Sequence, residues 1–393
     1  EISACLVGSE MCIRDRIYNH YVTNDFLMKG VFFMSDAKGK LFETNEKFPQ
    51  TEYWNDSCAV KELEYAIDRG ATGATTNPVI VGNVLNQEMD LWEDTLVKWI
   101  DEMPDATEEE VAWRLIEQMA VRGAKLLNPV YEKTNHKKGK ISIQTNAKLY
   151  RNADAMAEQA IGFGDLAPNI MVKMPTSAAG IKAFEEATFA GISINATVSF
   201  TVAQAVAVAE AVERGLKRRE EAGLSNENIT PVCTIMVGRT DDWVKEAVKR
   251  DNLCLDPCAL EYAGVAAFKN AYKIYQERGY KTRLLAAAYR NYFHWSEFIG
   301  GDVVLTITQP WQEKINGSDV EVKERMSRPV PEKYLNELKK IPDFIMAYEE
   351  DGLKPEEFVH YGAFVKTISQ FLGGYESLLG VIRKLMVGDP IRK

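Results

Sequence analysis

From Thr51 onward, short apolar runs alternate with longer segments of helical period. "TEYWNDSC" reads as a strand ending at Asp56, and "VKELEYAIDRG" as a helix stopped by Gly70. "ATGATTNP" is a short strand entering a polar turn at Asn77-Pro78. Residues 84–102 and 107–127 are helical, the second opened by an acidic "DATEEE" that suits the positive end of a helix. "GKISIQTN" is a strand ending near Gln144, and "DAMAEQAIGFG" a helix. "NIMVKMP" is a strand, "SAAGIKAFEEATFAG" a helix, "ISINATV" a strand, and 200–222 an alanine-rich helix. "TPVCTIMVG" is a strand followed by helices over 241–250 and 258–278. "TRLLAAAY" is a strand, "YFHWSEFIG" a helix and "DVVLTIT" a strand. Beyond residue 309 the chain is helical, with "SRPVPEKY" as a loop and a last periodic segment that Gly373-Gly374 should interrupt.

Eight short strands separated by helices imply a parallel sheet. Eight such units, with no glycine-rich dinucleotide fingerprint after the first strand, predict a closed (β/α)8 TIM-type barrel rather than an open doubly wound sheet. We expect one barrel domain over 51–393 with additional helices, including a long C-terminal helical segment, and a lead-in over 34–50. Residues 1–33 fit no such pattern. Met11–Arg16, "MCIRDR", back-translates to a sequence like a transposon-library adapter, so residues 1–16 read as a sequencing artefact. "KGV" at Lys29–Val31 can encode a ribosome-binding site just ahead of Met34, so 17–33 read as translated upstream DNA and Met34 as the natural start.

Lys173 interrupts the most apolar strand. Parallel strands are buried on both faces, and a buried lysine without a partner tends to lose its proton. A neutral amine is a nucleophile that can condense with a carbonyl. Alone, such a lysine more often reaches water or pairs with a carboxylate, so its neighbours must decide. In parallel barrels the site forms at the C-terminal strand ends. The polar residues there are Asp56, Asn77, Gln144, Lys173, Asn195, Thr197 and Thr234, with Arg239 and Arg290 just past two strands. Together they suit a carbonyl site with an anion clamp. Each also has a plainer reading: Asp56 as a helix cap, Asn77 as a turn residue, Arg239 paired with Asp241 or Asp242, and Arg290 with Glu297. His136, His294 and His360 read as structural or surface residues.

The 393 residues are 46% hydrophobic and 26% charged, ordinary for a globular protein, and the net charge of −10 argues against nucleic-acid binding. No apolar run is long enough to span a bilayer. Six cysteines in so long a chain make no disulfide framework, which favours the cytoplasm, and Cys254 with Cys258 lacks the companions a metal site needs.

Several motifs, in order, resemble the transaldolase family: "GATTNPVIV" its "ATTNPS", "NIMVKMPTSAAGI" its "IKIPAT…G", and "GISINATVSFTVAQA" its "GIxxNxTLxFSxxQA". "VGRTDDW" and "AAAYRN" resemble later landmarks. The resemblance implies a class I enzyme that moves a dihydroxyacetone unit between sugar phosphates, with no cofactor and no metal. Lys173 would form the Schiff base and Asp56 would take the hydroxyl proton as the carbon–carbon bond breaks. Asn77 and Asn195 would hold the dihydroxyacetone moiety and Thr197 the catalytic water. Arg239 and Arg290 would bind phosphate, and Thr234 stands where the family usually has serine.

Gln144 departs from the family. Transaldolases carry a glutamate acid–base there, and a glutamine can hold a water but cannot shuttle its proton. The related fructose-6-phosphate aldolases have glutamine with a compensating tyrosine, where this chain has Met236. Tyr289, Tyr292 and Glu52 are candidate substitutes. Three functions therefore stay open: a transaldolase of the pentose phosphate pathway, an aldolase-like enzyme acting on fructose 6-phosphate or a sulfo-sugar, and a non-catalytic sugar-phosphate sensor. The partners expected are small-molecule sugar phosphates, not nucleic acid or membrane, and self-association into a homo-oligomer stays open.

Overall fold

In the computed structural model, residues 38–388 are described. The segment read as artefact, and the start at Met34, lie outside them. Eight parallel strands close in sequence order: β1 (Thr51–Asn55), β2 (Gly73–Thr75), β3 (Lys140–Gln144), β4 (Ile170–Pro175), β5 (Ile194–Ser199), β6 (Val232–Ile235), β7 (Arg283–Ala286) and β8 (Val303–Ile307). β8 returns to β1 over five residue pairs, Thr51 opposite Val303 through Asn55 opposite Ile307, which closes the barrel. Helices fill the intervals between strands, so the expected (β/α)8 architecture is the one observed.

Alternation along each strand sorts side chains by face. Trp54, Met171, Val232, Leu285 and Val304 share one buried cluster that fills the barrel interior. Gly73 makes room for the largest of them. A Cβ there would lie 2.7 Å from the Trp54 ring, so no larger residue fits. Outward residues of the same strands, such as Ile143, Val172, Ala196 and Leu305, join the main core against the helices.

The polar inward positions fall into two sets at opposite ends. Glu52 lies at the N-terminal end, 2.7 Å from Arg283 and 3.2 Å from Lys138, and accepts a hydrogen bond from Thr72. It therefore cannot supply the missing acid–base, because the barrel core separates it from Lys173. Period-two spacing puts both ends of a strand on the same inward face, and only the sheet says which end faces the ligand.

Several boundaries differ from the sequence reading. The segment 84–102 is two helices, Pro78–Gln87 and Met89–Glu102. The helix opened by the capping box of Thr107 and Glu110 runs to Lys133, through Pro129. Residues 258–278 divide into Pro257–Leu260 and Ala263–Arg278. The final helix, Gly362–Val387, is continuous through Gly373-Gly374. A glycine costs about 1 kcal/mol in a helix, and packing offsets it here. At Gly374 a Cβ would sit 2.5 Å from Val79, so the glycine lets this helix lie close to Pro78–Gln87. Phe364, Ile368 and Phe371 of the final helix cluster with Val198, Phe200 and Met236 at the C-terminal ends of β5 and β6. The helix thus roofs the end of the barrel that carries Lys173.

Candidate active site

Lys173 sits on β4, 2% exposed, with Gln144 of β3 and Asn195 of β5 as its register partners. Burial pushes its ammonium below the ordinary lysine range; Asp56 opposes that shift and Arg239 reinforces it. The strand-end residues do converge on one buried end of the barrel. Asp56 follows β1 and accepts a hydrogen bond from Thr75 Oγ1 at 2.6 Å, while Thr75 Oγ1 lies 2.6 Å from Thr306 Oγ1. With its one proton given to Asp56, Thr75 accepts from Thr306. Asp56 is not the helix cap of the plainer reading, since the next helix starts at Val60 after Ala59.

Asn195 is fully buried. Its amide donates to Ser142 Oγ at 3.0 Å and its carbonyl accepts from Thr234 Oγ1 at 2.7 Å. Thr234 therefore fixes the orientation of Asn195. Asn77 is a helix N-cap rather than a turn residue: its Oδ1 accepts from the Ile80 N–H at 3.0 Å and caps the helix Pro78–Gln87. The capping leaves its Nδ2 as the group able to reach a ligand.

Other polar groups at this end are buried with no partner among the described residues. They include both amide atoms of Gln144, the hydroxyls of Thr176 and Thr197, the Tyr289 phenol and Arg239 Nε. Unmade hydrogen bonds cost about 1–3 kcal/mol each when buried, so such a cluster is the signature of a place that binds polar ligands and water. Two of the five non-glycine residues with positive φ among the described residues lie here. Val198, between Thr197 and Ser199, has φ 51°, and Ala288, just before Tyr289, has φ 64°. A β-branched residue in that region is an outlier, and such strain collects at functional sites. The β5–β6 register shifts at the same point.

The two arginines differ. Arg239 lies in the first turn of the helix Val237–Arg250, four residues earlier than the expected helix start. It is largely buried, pairs with neither Asp241 nor Asp242, and among the described residues its side chain reaches only Thr367 Oγ1 of the roof helix, at 3.4 Å. Arg290 is partly exposed and gripped by Asp242, with contacts of 2.6, 3.0 and 3.2 Å. Glu297 pairs instead with Lys269. The arginine loops are locked together: a Cβ on Gly238 would lie 1.8 Å from the Ala288 carbonyl oxygen. Beneath them, fully buried His294 accepts from the Arg290 N–H at Nδ1 (3.1 Å), which leaves Nε2 to donate to Asp241 (2.8 Å). That is the structural histidine expected.

Of the candidate proton donors, Tyr289 is 5% exposed and Tyr292 46% exposed, its ring tilted against Phe293. Thr75 and Ser142 were missed by sequence reasoning. Their one signal is a small polar residue at an inward position near a strand end, which is common elsewhere in the chain. Cys254 and Cys258 are exposed free thiols.

A parallel barrel with a buried lysine, a carboxylate, an amide pair and two arginines at its C-terminal strand ends has the layout of a barrel enzyme site. Comparison with known proteins narrows this class. The model of the family "Transaldolase/Fructose-6-phosphate aldolase" matches residues 53–356, and the chain belongs to that family. It is 32% identical over 235 residues to "Transaldolase 2" of Streptomyces coelicolor, covering 57% of this chain and 62% of that relative. It is 31% identical over 236 residues to "Transaldolase" of Thermobifida fusca, with 57% and 62% covered. The match thus spans a little under two thirds of these relatives' own length. Among the described residues no helix is long and apolar enough to cross a membrane.

Proposed function

We propose that the protein is a transaldolase of the Schiff-base class, transferring a dihydroxyacetone unit from a ketose phosphate to an aldose phosphate in the pentose phosphate pathway. The observation that carries the reading is Lys173: a lysine buried on an inward strand position, its ammonium disfavoured, beside a carboxylate. Its neutral amine adds to the ketose carbonyl and loses water to give a protonated imine. Asp56 then accepts the hydroxyl proton while the adjacent carbon–carbon bond breaks and its electrons pass into the imine as an enamine. Asn195 and the Asn77 amide hold the three-carbon unit, and Thr197 and Gln144 bind the water. Arg239, at a helix N-terminus whose N–H groups favour anions, takes the phosphate with Arg290. The reaction so drawn needs no metal or coenzyme, and the reading includes a cytoplasmic setting.

Gln144 favours a second reading, an aldolase that releases the three-carbon unit, since no carboxyl group at that position speeds interconversion of the covalent intermediates. Borohydride reduction with fructose 6-phosphate present should attach a three-carbon unit to Lys173, and Lys173→Ala should abolish labelling and turnover. Labelling at another lysine would refute the assignment. Product analysis with and without erythrose 4-phosphate then separates the readings: transfer products only with the acceptor support the transaldolase, and free dihydroxyacetone without it the aldolase.

A further inference from the structure

Making and hydrolysing an imine moves a proton to and from the oxygen that leaves as water. Resting on the Schiff-base reading, that proton must come from a titratable side chain near Lys173, and Arg239, whose guanidinium keeps its proton, does not supply it. Asp56 serves the other half of the reaction, taking the hydroxyl proton, and is held by Thr75. Both ring nitrogens of His294 are engaged, Arg290 is tied to Asp242, and Glu52 lies at the far end of the barrel. Gln144 has no proton to give away and later recover. Tyr289 differs from all of these. Its phenol oxygen is buried with no partner among the described residues, three residues past the end of β7 and directly before Arg290. Its ring is wedged between His294, edge-on at 5.9 Å, and Trp311 at 6.4 Å, which leaves it little freedom to turn away. Ala288, directly before it, has a left-handed backbone. Burial and the Asp56 carboxylate both push the phenol upward, so it is held protonated and within the field of Asp56.

We propose that Tyr289 is the acid–base of the imine steps, paired with Gln144 as the holder of the water. In the forward step the lysine nitrogen lone pair forms the C=N bond, the carbinolamine C–O bond breaks, and the phenol proton leaves with that oxygen as water. The products are a protonated imine and a tyrosinate, an ion pair created together in a buried place, which offsets the high resting affinity of the phenol for its proton. In the hydrolytic step water adds to the imine carbon and gives its proton back to the tyrosinate. The proton cycle closes without any further reagent.

The test is Tyr289→Phe, which removes one oxygen and keeps the ring. General acid catalysis contributes on the order of 10²–10⁴-fold. At saturating fructose 6-phosphate, single-turnover formation of the borohydride-trappable adduct on Lys173 should therefore slow at least about 100-fold, with KM changed by less than about 3-fold. Adding Gln144→Glu to this variant should recover part of the rate, which repair of mere packing damage would not do. An unaltered rate in Tyr289→Phe, or a loss that appears only in KM, overturns the proposal. If Tyr289→Phe does not fold, 3-fluorotyrosine at position 289, a stronger acid of nearly the same shape, should speed adduct formation, and an unchanged rate overturns the proposal equally. Failure of the unaltered protein to label at Lys173 at all would instead refute the Schiff-base reading on which the proposal rests.

Discussion

The unequal arginines make a sharp prediction. Arg239 is largely buried, and among the described residues its Nε has no partner and its one side-chain hydrogen bond is a long one to Thr367. Its positive charge is therefore largely unspent, and burial with the nearby Arg290 already disfavours it. A phosphate there would gain a charge-assisted hydrogen bond at full strength. Such bonds contribute about 2–3 kcal/mol, so Arg239→Ala should raise KM for phosphorylated sugars by roughly 30- to 150-fold, at 1.36 kcal/mol per factor of ten. Arg290 is already neutralised by Asp242 and partly exposed to water. An exchange of one exposed partner for another is worth about 0–1 kcal/mol, so Arg290→Ala should raise KM only up to about 5-fold. Asp242→Ala should release Arg290 and lower KM for phosphorylated sugars. The assay is steady-state kinetics with fructose 6-phosphate and with unphosphorylated dihydroxyacetone as donor, each variant checked by thermal melting. Dihydroxyacetone has no anion and should be nearly insensitive to all three changes. Equal effects of the two alanine variants, or equal losses with both donors, would refute the reasoning from burial and pairing.

Other expectations follow from particular contacts. Because burial lowers the Lys173 pKa while Asp56 raises it, the labelling rate should climb with pH through the lowered pKa and level off above it. Asp56→Asn removes the opposing charge, so the climb should move to lower pH; movement to higher pH would contradict the arrangement. Gln144→Glu should add a titrating limb to the pH–rate profile and shift the balance toward sugar-to-sugar transfer, measured as erythrose-dependent product against free dihydroxyacetone from pH 6 to 9. Identical profiles would mean that position 144 does not touch the chemistry. Gly238→Ala places a methyl against the Ala288 carbonyl, so it should cost roughly 1–3 kcal/mol, read as a lower Tm, and weaken phosphate recognition by separating the two arginine loops. An unchanged Tm and KM would show that the close approach is absent.

The alternation of short apolar runs with helical segments was enough to determine the barrel, because each βα unit must bury its strand on both faces and its helix on one. The same logic made Lys173 conspicuous, since an ammonium among Ile170, Met171, Val172 and Met174 has no local partner. The strand-end residues were legible because period-two spacing fixes which side chains turn inward. What the sequence could not assign was the company those residues keep. Glu52 and Asp56 share one inward face of β1, and only closure of the sheet separates them, putting Glu52 on Arg283 and Asp56 beside Thr75. Arg239 and Arg290 look alike in the sequence, yet a contact across 48 residues gives Asp242 to Arg290 and leaves Arg239 unpaired. Gly373-Gly374 reads as a break because local propensity is all a sequence window contains, whereas packing on Val79 keeps the roof helix whole. Tyr289 is one of 16 tyrosines until the fold buries its hydroxyl without a partner. Periodicity is a local property and survives in the sequence, but charge pairing and burial depend on residues brought together from distant strands, and only the tertiary structure decides them.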